Sequence, residues 1–206
     1  MRVLVFIASI LALTSVSGQK LVKKAFIDAH IDFIQIDSQY CYRVDLKTAR
    51  TDEVTVSASI EGEYAKDLLI SIEESGATAL ISAGFQPLFI NPNDKLSAHK
   101  VVSIAIEVSV PEYMGVAIFG TNSDVYATGK YENLSVTLSD GRCTLTDVSE
   151  TVEVLTQKGD IWLTAPNGDI LAETSYGHVE DGIIPFGHNQ FILKSVEGDI
   201  HLIKTK

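Results

Sequence analysis

Residues 141–170 read GRCTLTDVSETVEVLTQKGDIWLTAPNGDI, and the fold turns on the spacing inside them. Cys143, Val152, Ile161 and Ile170 stand nine residues apart, and each has a second apolar residue two places on, at Leu145, Val154, Leu163 and Ala172. Side chains two apart on an extended chain face the same way, so each unit reads as a short strand with one apolar face. The phase runs upstream through Leu134, Val125 and Val116, with Val136, Ala127 and Ile118 as second residues, and downstream to Val179. A short fixed period is the mark of an array whose rungs share one core and cannot stand alone.

Gly141, Gly159, Gly168 and Gly177 each fall two residues before an inward position, where a glycine can take the positive φ of a sharp corner. Glycine at 141, 159 and 177 alternates with Glu132, Glu150 and Gly168, which suggests a two-sided coil of about 18 residues with parallel stacking between alternate rungs. An antiparallel meander of nine-residue hairpin units has the same spacing. The solenoid-like array is the favoured reading.

Upstream, apolar and polar residues alternate between turn signals from residue 20 to about residue 110. The run from Glu53 to Ile60, the Glu61–Tyr64 turn and the run from Asp67 to Ile72 read as a hairpin. Glu73–Gly76 then leads into Thr78–Phe85, so these three strands are expected to form an antiparallel meander. Asn91–Asp94 reads as a loop before a strand from Val101 to Val110. Pro111, which cannot donate to a central ladder, marks the expected boundary. Past Val179 the period breaks at Ile183–Gly187, and two final strands, Gln190–Lys194 and Gly198–Ile203, are expected as an end cap. The expected class is therefore all-β. Residues 19–110 are an antiparallel β capping region and residues 111–206 a β-solenoid-like repeat region.

Residues 1–18 have the parts of a secretory signal peptide: Arg2, the apolar run from Val3 to Leu13, and the small-residue pattern Val16-Ser17-Gly18. Eleven mostly apolar residues are too few for a bilayer span of about 20. No later segment reads as a transmembrane span. Cleavage would leave Gln19 first, with no cysteine for a lipid, and the C-terminus carries no lipidation or retention signal. Losing Arg2 and no acid moves the net charge from −11 to −12, without any basic block. That disfavours nucleic acid and anionic membranes as partners, since both select clustered Lys and Arg.

The units Gly-Asp-Ile at 159–161, 168–170 and 198–200, in phase with the array, resemble the bacterial putative-adhesin domain family with head GIN-like β-solenoid repeats. The resemblance covers roughly residues 100–206. It implies a secreted or surface-exposed bacterial protein without catalytic residues.

Candidate sites are few. Trp162, between inward Ile161 and Leu163, must point outward, where it could stack on a sugar or anchor a partner, or be covered by an end cap or loop; Tyr176 is its companion. Cys41 and Cys143 could form a disulfide in an export compartment, although Cys143 on an inward position also suits a buried free thiol. Asp28, His30 and Asp32 alternate along an expected strand and could share a wet face or a metal. Asp160, Asp169 and Asp199 follow corner glycines and read as turn stabilisers rather than calcium ligands. His30, His99, His178, His188 and His201 form no HExxH, no serine sits in GxSxG, no CxxC is present, and no phosphate loop opens a helix. Asn133-Leu134-Ser135 matches a glycan acceptor that a bacterial origin would leave unused. No cofactor is expected. The leading functional reading is a non-catalytic exported adhesin or cell-envelope interaction module. A glycan- or ligand-binding module is the alternative, a cell-surface glycan or protein is the expected partner, and a polysaccharide-active enzyme comes third.

Overall fold

The computed structural model describes residues 20–26, 30–62, 65–88, 102–180 and 182–205. The signal-peptide segment 1–18, Asp28, the Asn91–Asp94 loop and His99 lie outside the described residues. Among the described residues fifteen strands make one sheet. They are β1 Lys20–Phe26, β2 Phe33–Asp37, β3 Arg43–Ala49, β4 Val54–Gly62, β5 Leu68–Ser75, β6 Thr78–Phe85, β7 Val102–Pro111, β8 Gly115–Gly120, β9 Asp124–Leu138, β10 Cys143–Thr156, β11 Ile161–Ala165, β12 Asp169–Thr174, β13 Val179–Glu180, β14 Gln190–Ser195 and β15 Ile200–Lys204. Among the described residues the only helical element is a 3-10 turn at Ala65–Asp67. The protein is all-β.

The sheet curls into a barrel-like wall because β9 and β10 bend. Each contributes its first half to one side of the core and its second half to the other, with register shifts between Thr146 and Val148 and between Glu150 and Thr151. The bends are local: Gly129, Asp147 and Glu150 all have positive φ there. Tyr131 fills the inside of the bend and is fully buried, its hydroxyl donating to the Thr128 carbonyl at 2.8 Å.

The nine-residue phase meets its partners at twice that spacing and in parallel. Cys143 lies beside Val125 and Ile161, and Leu145 beside Ala127 and Leu163. On the opposite side Leu134 lies between Val116 and Val152. From Val116 to Leu163 every residue of the phase is buried. Full burial of a Val, Leu or Ile is worth roughly 1.5–3 kcal/mol, so these layers carry a large part of the core's stability. Parallel rungs also reach upstream of Pro111: β2 pairs with β8 and β6, and β3 with β9 and β7.

At the N-terminal end the expected meander is not formed. β5 and β6 do make an antiparallel hairpin, but β4 pairs with β1 and β7 and not with β5. Val54, Val56, Ala58 and Ile60 of β4 are buried in the run of strands with β7 and β3, and Leu68 and Ile70 of β5 in the run with β6 and β2. The 3-10 turn at Ala65–Asp67 precedes β5, and both strands bury their apolar faces in the common core.

The far end also departs from simple succession. β14 is inserted between β10 and β12, and β15 between β11 and β13. Phe191, Leu193 and Ile200 are thereby buried, whereas Ile170 and Ala172 are half-buried and Val179, expected inward, is 39% exposed. Phe and Leu remove more apolar area from water than Ala and Val do, which favours the later strands for the inner position. The final pair is therefore an inner rung, and the outermost strands are β12 and β13.

The corner glycines answer to a different constraint from the one expected. Gly141, Gly159, Gly168 and Gly177 have no positive φ. A Cβ on Gly159 would lie 1.8 Å from the Gly141 carbonyl oxygen, and one on Gly141 1.9 Å from that of Ser123. Gly198 and Gly177 continue the column against Gly159 and Gly198. Backbones stacked this closely exclude any side chain. The aspartates after the glycines tie successive corners: Asp160 Oδ1 accepts from the Asp199 N–H at 2.9 Å, and Asp199 Oδ1 from the His178 N–H at 2.7 Å. Asp169 lies on the opposite side at the start of β12.

Candidate binding face

One outward row crosses the wall formed by β3, β9, β10, β11, β15 and β13. In register it runs Asp45, Tyr126, Thr144, Trp162, His201, Glu180. A parallel row beside it runs Lys47, Thr128, Thr146, Thr164, Ile203. All face outward because their neighbours in each strand, such as Val125, Leu145 and Leu163, face the core.

Two aromatic rings are braced in this row, each on one face. The Arg43 guanidinium lies over Tyr126, 4.5 Å from the ring centroid, and is itself held by two hydrogen bonds of 2.7 Å to the Asp45 carboxylate. Those bonds push the Arg43 pKa further up, so this cation keeps its charge. At the other side His201 stacks on Trp162, with centroids 3.8 Å apart and planes at 19°. Glu180 Oε2 lies 2.7 Å from His201 Nδ1, and the imidazole is only 13% exposed. Trp162 is half-buried, and its Nε1 is closed off without a partner, a cost of roughly 1–3 kcal/mol that the packing around it has to offset. Lys47 forms an ion pair with Glu107 at the edge of the face. Arg43, Asp45, Lys47, Tyr126, Thr144 and Thr146 line a shallow recess of about 570 Å³.

The structure brings Trp162 to this face but places Tyr176 elsewhere, in the corner before β13, where it is 80% exposed. Cys41 and Cys143 are not bridged. Both are buried free thiols, and Cys143 has Val125 and Ile161 as strand neighbours rather than Cys41. Burial raises each thiol's pKa to about 12, helped at Cys41 by the Asp37 carboxylate, so both are protonated and poor nucleophiles. His30 and Asp32 precede β2 instead of alternating along a strand, because pairing of that strand begins only at Phe33. Among the described residues no three His, Cys, Asp or Glu side chains converge as a metal site would need. No helix among them is long and apolar enough to cross a membrane.

Arg43, Tyr126, Thr144 and Glu180 are not among the sequence candidates, and His201 is there only as one of five histidines. Tyr126, Thr144, Trp162 and Glu180 are spaced at 18 residues, a signal that was present in the outward positions of the repeat. His201 had none, since it enters the row through the inserted β15.

No protein-family model matches the chain, and comparison with curated proteins gives no match. Among solved structures, a putative cell adhesion protein from Clostridium sporogenes is similar at 12% identity and a TM-score of 0.62, over 91% of this chain and all of that one. That likeness is one of fold. Two structures described as putative adhesins, from Parabacteroides distasonis and Bacteroides fragilis, are 15% and 12% identical over 91% of this chain and 98% and 99% of theirs. Their TM-scores of 0.32 and 0.35 are too low to add to the fold argument.

Proposed function

We propose that this chain is a non-catalytic, exported interaction module of the bacterial cell envelope, adhesin-like in use as in shape, and that it works through the outward face carrying Tyr126 and Trp162. The observation that carries this reading is the braced row on β3, β9, β10, β11 and β15, where two aromatic rings are held rigid at a water-facing surface. Rigid aromatics with little entropy to lose are the side chains that anchor partners. The fold likeness to the Clostridium sporogenes protein described as a putative cell adhesion protein supports the same reading.

In this reading residues 1–18 are the signal peptide and the mature chain starts at Gln19. Residues 19–110 cover one end of a solenoid-like stack whose rungs come mainly from residues 111–206, with β2 and β3 adding two parallel strands. The partner is a cell-surface glycan or protein, and no reaction is performed.

The test combines fractionation with adhesion. Protease shaving and N-terminal sequencing of the producing cells are expected to find the chain outside the cytoplasm and beginning at Gln19, and beads coated with it are expected to be retained on cell-surface material. Retention of an uncleaved chain in the cytoplasm, or hydrolysis of a polysaccharide by the purified protein, would overturn the proposal.

A further inference from the structure

Tyr126 and Trp162 are two strands apart in the same outward row, with Thr144 between them. Neighbouring strands are about 4.8 Å apart, so the two residues stand roughly 9–10 Å apart along the stack. Trp162 and His201 stack across adjacent strands, so the indole plane stands across the direction of stacking, and its other face turns toward the Thr144 row. Arg43 covers Tyr126 from the β3 side, which leaves that ring's other face turned toward Thr144 as well. The two free faces thus look at each other across a slot floored by Thr144, a small half-buried side chain.

We infer that the slot above Thr144, between the rings of Tyr126 and Trp162, takes one sugar ring of an uncharged glycan. The inference rests on the interaction-module reading and names the chemistry that its face recognises. Three features select this ligand. A flat aromatic guest would need faces about 7 Å apart, given carbon contacts of about 3.5 Å on each side. The wider slot suits the thicker pyranose ring, whose C–H faces pack on aromatics. Charge is the second feature: Arg43 is spent on Asp45 and Lys47 on Glu107, so the charged groups at the edge are paired and offer no free cation for an acidic sugar. The third is the neighbouring row of Thr128, Thr146 and Thr164, whose hydroxyls can each donate or accept as sugar hydroxyls require.

Trp162 is the only tryptophan, so its emission reads the slot directly. The exported full chain is titrated with cellohexaose and xylohexaose, with polygalacturonate as the acidic comparison. A saturable change in emission is expected with at least one neutral hexasaccharide, at a Kd of about 1 mM or below. Tyr126→Ala removes one wall and Thr144→Arg fills the floor while keeping both rings. Each is expected to weaken binding about tenfold or more by calorimetry, with the melting curve retained. The absence of a saturable change with either neutral sugar, full affinity in Thr144→Arg, or preference for polygalacturonate would sink the slot. Retention of beads carrying Tyr126→Ala or Thr144→Arg on cell surfaces as well as wild type would also reject it while leaving the module reading intact. Failure of wild-type beads to adhere, with hexasaccharide binding in place, would reject the module reading and not the slot.

Discussion

His201 lies flat against Trp162 at 3.8 Å although β11 and β15 are far apart in the chain, and Glu180 from a third strand holds the imidazole in place. The indole is thus supported from one side by a residue that entered the row by strand insertion. Replacing His201 with alanine is expected to leave the sheet intact by circular dichroism and to cost about 0.5–1.5 kcal/mol. The clearer sign is optical: acrylamide should quench Trp162 more strongly in the variant. Equal quenching would mean that the stack does not shield the ring.

The glycine column makes a sharp distinction between two alanine substitutions. Gly159→Ala puts a methyl group 1.8 Å from the Gly141 carbonyl oxygen, where only backbone movement could relieve it. A loss of about 3 kcal/mol or more, or failure to fold, is expected by urea denaturation. Gly84→Ala meets nothing within 4 Å and has no positive φ, so it should be neutral or stabilise by up to about 1 kcal/mol. Comparable losses in both would refute the close-approach explanation.

Cys41 and Cys143 link stability to alkaline pH. Their folded pKa values are raised from about 9 to about 12 by burial, so the thiols stay protonated in the fold while they ionise in the unfolded chain. Their contribution is fully present below about pH 9 and is lost as pH rises toward about 12, with a slope of up to about 1.4 kcal/mol per pH unit per thiol. In the double variant Cys41→Ala with Cys143→Ala the alkaline fall in denaturation free energy should be shallower than in wild type. Ellman's reagent should label neither thiol at pH 8 in the folded protein and both in urea.

Tyr131 tests the bend that lets β9 serve both sides of the core. Tyr131→Phe loses the hydroxyl's bond to the Thr128 carbonyl and should cost about 1 kcal/mol, whereas Tyr131→Ala empties a fully buried site and should cost about 3–5 kcal/mol. Similar losses for the two would place the stabilisation in the hydroxyl rather than in the filled volume.

The order of residues settled the all-β class and the inward phase from Val116 to Leu163, whereas the long strands β9 and β10, each holding two rungs, and the parallel pairing of alternate rungs came from the tertiary structure. Trp162 could be turned outward because period two within a strand is a local property of the chain, whereas Cys143 beside Val125 and Ile161, 18 residues away on either side, is one of two arrangements that the nine-residue period allows. Counting the outward positions at the same interval would have added Tyr126 and Thr144 to Trp162. It would also have set Glu180 directly beside Trp162, and there the tertiary structure decided otherwise: β15 brings His201 between them because Phe191, Leu193 and Ile200 bury more apolar surface than Ile170, Ala172 and Val179. The same competition separated β4 from β5. Which strand lies beside which is settled by the total area the whole core removes from water, and no single stretch of the chain contains that sum.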